Sequence, residues 1–251
     1  MPPKRKATTQ ETYTRAPFLP PAPAITLLPQ ADSFNILISA CKSHDYQKIN
    51  DILKTTPGLL QYINSPSIDS PFHTPLHYVC KSNSPDALRC VELLIQYGAD
   101  PRTIAGPEIA SMPCLWLACN SGNTPIVAKL LEVLGEEATT TINTYYSAFP
   151  HTPFHRACIS GNKDLIELLI NHGADPTIIV GTNIKLPANE YFPSATALWL
   201  ACNHLKRGEC KTDHIKYLLQ NDAVRTTMNE PCKEIKCYNT APRSDHELQN
   251  S

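Results

Sequence analysis

Apolar residues in this chain recur in short bursts at helical spacing, each pair of bursts split by a turn. The pattern is complete from Thr152 to Pro176, TPFHRACISGNKDLIELLINHGADP. Thr152 is an N-cap residue, whose hydroxyl accepts a hydrogen bond from a free N–H of the first turn. Pro153 fits the first helical position, where its missing N–H removes nothing. The pattern predicts a short helix to about Ser160 and a turn at Gly161-Asn162. A second helix then carries Leu165, Ile166, Leu168 and Leu169 as an apolar stripe. Gly173 supplies the left-handed residue that ends it. Two short helices with one apolar side each have too little surface to bury alone, so such a unit stacks on copies of itself.

The copies are present. Thr74 to Pro101 repeats the T-P-[LF]-H start, the Cys six residues after the Thr, and the G-A-D-P end. Pro113 to Cys119 (PCLWLAC) and Thr196 to Cys202 (TALWLAC) are altered at the front, and Asn35 to Cys41 (NILISAC) is degenerate. The aligned cysteines, 41, 80, 119, 158 and 202, stand 39, 39, 39 and 44 residues apart.

T-P-L-H, two short helices and G-A-D-P resemble the ankyrin repeat. Residues 73–101 and 151–177 carry the resemblance, and the other units join it through the period. The resemblance implies an all-α ankyrin-repeat solenoid of about five helix-turn-helix repeats over residues 33–224, at about 33–72, 73–110, 111–150, 151–193 and 194–224. The period exceeds the usual 33 or so residues, so long inter-repeat loops are expected, where insertions cost little.

Composition narrows the rest. Net charge is −1, with 22 basic and 23 acidic residues, which argues against a general nucleic-acid binder. Ten cysteines would suit a disulfide scaffold. Five of them, however, recur at one site of successive units, expected on a buried helix face. Stacked helices stand roughly 10 Å apart, whereas a disulfide needs Cα atoms within about 7 Å. The reading is small buried apolar residues in a reducing compartment. Cys90, Cys114, Cys210, Cys232 and Cys237 form no zinc spacing, and no metal or cofactor is expected.

In the first unit Ser33 is the expected cap, with Ile36, Leu37 and Ala40, then Ile49, Ile52 and Leu53, facing inward. Disordered termini are expected on both sides of the array. Residues 1–32 form a basic, Pro-rich segment with no signal-peptide core and no membrane span, and residues 225–251 a flexible polar tail. Lys4, Arg5 and Lys6 resemble a minimal nuclear import signal, although a solvated terminus is the plainer reading. The location expected is cytoplasmic, with nuclear entry through that cluster as an option.

His77 and His155 fall at the third helical position, where a side chain can bond back to the cap. Trp116 and Trp199 hold that place in units three and five, and an indole only donates. They read either as filler beneath long loops or as recognition residues. His155 with Cys158, and His77 with Cys80, share a spacing suited to a nucleophilic dyad. Its repetition marks it as scaffold, and no residue is evident to orient the His. By resemblance the chain binds another protein without catalysis or a small-molecule substrate. The partner-binding candidates are Tyr78, Tyr145, Tyr146, Arg156, Tyr191, Phe192, Trp116 and Trp199. One alternative is an ankyrin-type effector of an intracellular bacterium, delivered into a host cell. The other is an enzyme using the array as a frame, for which the 176–195 loop offers Lys185 and Glu190.

Overall fold

The computed structural model describes residues 31–67, 73–104, 112–144, 151–179, 196–203 and 212–227. Among these residues there are twelve α-helices and no strand. They are α1 (Ala31–Ser43), α2 (Tyr46–Thr55), α3 (Pro75–Cys80), α4 (Ala87–Gln96), α5 (Cys114–Ser121) and α6 (Thr124–Leu134), followed by α7 (Ala138–Asn143), α8 (Pro153–Ser160), α9 (Lys163–Asn171), α10 (Ala197–Asn203), α11 (Asp213–Gln220) and α12 (Asp222–Thr227). None is long and apolar enough to cross a membrane.

The helices pair as the periodicity requires and stack in two rows. The first helices touch in the order α1, α3, α5, α8, α10, and the second in the order α2, α4, α6, α9, α11. Leu37, Leu76, Leu115 and Phe154, each one turn before a repeat cysteine, are at most 1% exposed, and Cys41, Cys80, Cys119 and Cys158 are fully buried. The first four units thus carry an equivalent apolar rung, the nearest-neighbour packing of a solenoid.

Caps and turns form where expected. The hydroxyl of Thr152 accepts from the His155 amide at 3.3 Å. Asn123 and Asn162 cap α6 and α9 by accepting from Ile126 N and Leu165 N. Each reaches back across a joint as well, Asn123 Nδ2 to Ser82 O and Asn162 Nδ2 to Gly122 O. Gly173 adopts φ +88°, and a Cβ there would stand 3.0 Å from the Thr139 side chain, so both conformation and space select glycine.

Five expectations are corrected. Helix α1 begins at Ala31, so Ser33 lies inside it rather than capping it. Ile36 is 45% exposed: the α1 stripe is Phe34, Leu37, Ile38 and Cys41, at i, i+3, i+4 and i+7, and Ile36 lies off it. Cys202 is exposed, unlike the four repeat cysteines before it. The stretch after α6, read as loop, forms a 3-10 turn at Gly135–Glu137 and then α7, with Ala138 and Ile142 buried. The tail expected to be flexible from residue 225 begins inside α12, which runs Asp222–Thr227 and buries Val224.

The extra helical pieces follow a two-unit rhythm. After α2, a 3-10 helix at Pro57–Tyr62 buries Leu59 and sets Ile63 in the core. After α6, α7 does the same with Ile142. Each piece ends by presenting an asparagine to the next unit. Asn64 donates to Gly98 O at 3.0 Å and accepts from Asp100 N at 2.8 Å. Asn143 donates to Gly173 O at 2.9 Å and accepts from Asp175 N at 2.8 Å. The two G-A-D-P turns are therefore held by the preceding unit. Between these pairs Arg102 takes over, ion-paired to Glu137 at 2.9 Å and donating to Val133 O and Leu134 O at the end of α6, where free carbonyls favour a cation.

Candidate functional site

The row of first helices carries the candidate residues that the structure describes. In units two to four the position three before the repeat cysteine points along the stack. His77 Nε2 meets Met112 O at 3.0 Å, Trp116 Nε1 meets His151 O at 2.9 Å, and His155 Nε2 meets Ile178 O at 3.1 Å. His and Trp alternate because this position needs an N–H donor aimed at the following segment, and both rings supply one. The second imidazole nitrogen adds the cap bond: Thr74 Oγ1 and Thr152 Oγ1 each lie 2.7 Å from Nδ1 of their histidine. With Nε2 facing a carbonyl, Nε2 bears the proton and the Thr hydroxyl donates to Nδ1.

Both ring nitrogens of His155 are thus occupied. Burial foremost, then the charge of His151, pushes its pKa down to about 3. Burial pushes the Cys158 thiol well above the ordinary thiol range. The pair therefore offers neither a base nor a thiolate at neutral pH. All seven described cysteines are free thiols, and no group of three or more potential metal ligands occurs among the described residues.

Tyr78 is 8% exposed, and its hydroxyl lies 2.8 Å from Ser67 Oγ. Lys42 Nζ and Lys81 Nζ stand 5.0 and 6.0 Å from its ring centroid. Trp116 is 4% exposed, and the Arg156 guanidinium lies over its ring at 4.8 Å. Arg156 Nε donates to Asn120 Oδ1 at 2.8 Å, and burial lowers the Arg156 pKa. Trp199 is half-buried and packs with Ile159, Ile178 and Leu200 in a small cluster of its own. Tyr145, Tyr146, Tyr191 and Phe192 lie outside the described residues, as do Lys4, Arg5, Lys6, Lys185 and Glu190.

Tyr78 and Trp116 therefore present little of their rings to the surface, and Lys42 and Lys81 beside Tyr78 are exposed. Sequence reasoning named Arg156 but missed three features: Lys42 and Lys81 over Tyr78, the shared donor role of His and Trp, and the paired asparagines. A signal for the last existed. Ile63-Asn64 and Ile142-Asn143 recur 79 residues apart, against 78 for Thr74 and Thr152.

Compared with known families, the chain matches ankyrin repeats (3 copies) over residues 86–180 and 115–229. It is 34% identical over 110 residues to ankyrin repeat and SOCS box protein 11 of Danio rerio, covering 42% of this chain and 34% of that protein. It is 28% identical over 125 residues to NF-kappa-B inhibitor alpha of Sus scrofa, covering 50% of this chain and 37% of that protein. The chain thus spans about a third of the length of these relatives.

Proposed function

We propose that this chain, which belongs to the ankyrin repeat family, is a non-catalytic scaffold that binds another protein along its first-helix row and adjoining loops. Ankyrin repeats imply a protein-interaction role, and one of the relatives is by name an inhibitor of another factor. The observation that carries the reading is the ladder of cross-unit bonds from His77, Trp116 and His155. It holds successive first helices in fixed register, so side chains one unit apart form a preorganised surface, which lowers the ordering cost of binding. The occupied ring nitrogens of His155 and the suppressed Cys158 thiol favour this reading over an enzyme built on the repeats. The free, buried thiols favour a reducing compartment, the cytoplasm or nucleus. Nothing above favours the bacterial-effector alternative.

Arg156, Trp199 and the loop aromatics Tyr145, Tyr146, Tyr191 and Phe192 are the proposed contacts, with Tyr78 and Trp116 as supports for the cations above them. The test uses the full chain as bait in its native cell extract, followed by titration of the purified prey. Replacing the four loop aromatics by Ala is expected to lose capture at an unchanged melting temperature. Capture that persists removes those loops from the interface. If no prey binds saturably, the scaffold reading falls.

A further inference from the structure

The two helix rows differ in where their carboxylates lie. Helices α3, α5, α8 and α10 contain no Asp or Glu. The second row carries Asp51, Glu92, Glu132, Asp164, Glu167 and Asp213, balanced by six Lys or Arg residues, and the first row has a carboxylate at the start of α1, Asp32. The cations of the first row are seated on aromatic faces: Lys42 and Lys81 over Tyr78, and Arg156 over Trp116. A π-face attracts and orients a cation and sheds part of its water, yet leaves its charge in place. Arg156 is further fixed by Asn120 Oδ1, a neutral acceptor reached by Nε and one Nη. A guanidinium has five N–H donors, so an edge remains for a planar anion. Among the described residues neither Lys81 nor Arg156 has a carboxylate partner. The rings beneath are themselves anchored, Tyr78 through Ser67 and Trp116 through the His151 carbonyl.

Resting on the scaffold reading above, we propose that this row receives an extended acidic peptide segment of the partner. One carboxylate meets Lys81, beside Lys42, over the second unit, and another takes the open edge of Arg156 over the third. Bidentate pairing with a carboxylate is the geometry a held guanidinium favours. Arg156 belongs to the fourth unit but lies back over α5, so the two cationic points are one helix spacing apart, roughly 8–10 Å. An extended chain advances about 3.3 Å per residue, so the acidic residues are expected about three positions apart.

The test titrates the full chain into a fluorescein-labelled (Glu-Gly-Gly)4 peptide, read by anisotropy. A (Lys-Gly-Gly)4 peptide and a 12-nucleotide single-stranded DNA serve as comparisons. Saturable binding of the acidic peptide alone is expected, weakening by about tenfold between low salt and 300 mM salt. The K42E/K81E/R156E variant is expected to lose binding, while K48E/K54E on the second row keeps it within about twofold, since charges beyond a Debye length are screened. Lys81→Gln and Arg156→Gln, made singly and checked by circular dichroism, give the same reading if the triple variant misfolds; each is expected to weaken binding. No acidic-peptide binding, binding indifferent to these changes, or preference for the DNA overturns the proposal. Prey capture that survives the triple charge reversal also overturns it, while leaving the scaffold reading intact.

Discussion

His155 shows how one side chain serves two levels of structure. Its Nδ1 closes the cap of its own helix and its Nε2 ties that helix to the following segment. The Nδ1 bond requires the neutral ring, because there the ring accepts, whereas the Nε2–H donor survives protonation; burial pushes the His155 pKa down to about 3. An unfolded His protonates near 6.5, so between these values the unfolded chain holds a proton that the folded chain refuses. The stability from the neutral ring is full above about 6.5 and is lost as pH falls towards about 3. Urea midpoints measured from pH 7.5 to 4.5 are therefore expected to fall more steeply for the wild type than for His155→Gln. Equal slopes would remove His155 from the acid response.

At the scale of elements, α7 is the instructive case. Its sequence, ATTTIN, has one strongly apolar residue and three Thr, whose β-branching disfavours a helix. Local preference reads it as loop. It is helical because Ile142 drops into the core between α5, α6 and α8, and packing outweighs propensity. Ile142→Ala is expected to destabilise the chain by about 2–4 kcal/mol, the usual range for a buried aliphatic truncation. It should also free Asn143 from Gly173 and Asp175. Urea denaturation together with limited proteolysis after Gly135 would check both, and an unchanged midpoint would show that α7 contributes little. Helices α8 and α9, by contrast, were legible from Thr152-Pro153, Asn162 and Gly173, because cap and stop signals are local chemistry.

For the whole molecule, stability is a sum of unit and joint contributions. Side chains bond across the first three joints: Asn64 from the first unit to the second, Arg102 between the second and third, and Asn143 from the third to the fourth, and the tightest first-helix pairing is α5 with α8. The α1 side has Ile36 exposed, and α10 has Cys202 exposed. Hydrogen exchange is expected to be slowest for amides of α5 and α8 and faster for α1, α2 and α11, since local opening follows local contact density. Uniform protection along the array would instead mark a single all-or-none unit.

The period, the helix pairs, the capped starts and the cysteine rung could be read from residue order, because each depends on neighbours within one turn or on exact repetition. The candidate site could not. Tyr78 and Arg156 stood out as helix-start residues, but that Tyr78 lies beneath two lysines and Arg156 over the indole of Trp116 depends on which side chains of adjacent units meet. That is set by the stacking distance and the rotation between units, quantities no single stretch of chain encodes. The same holds for Asn64 and Asn143: each is an ordinary polar residue until the next unit brings a glycine carbonyl and an aspartate amide within reach.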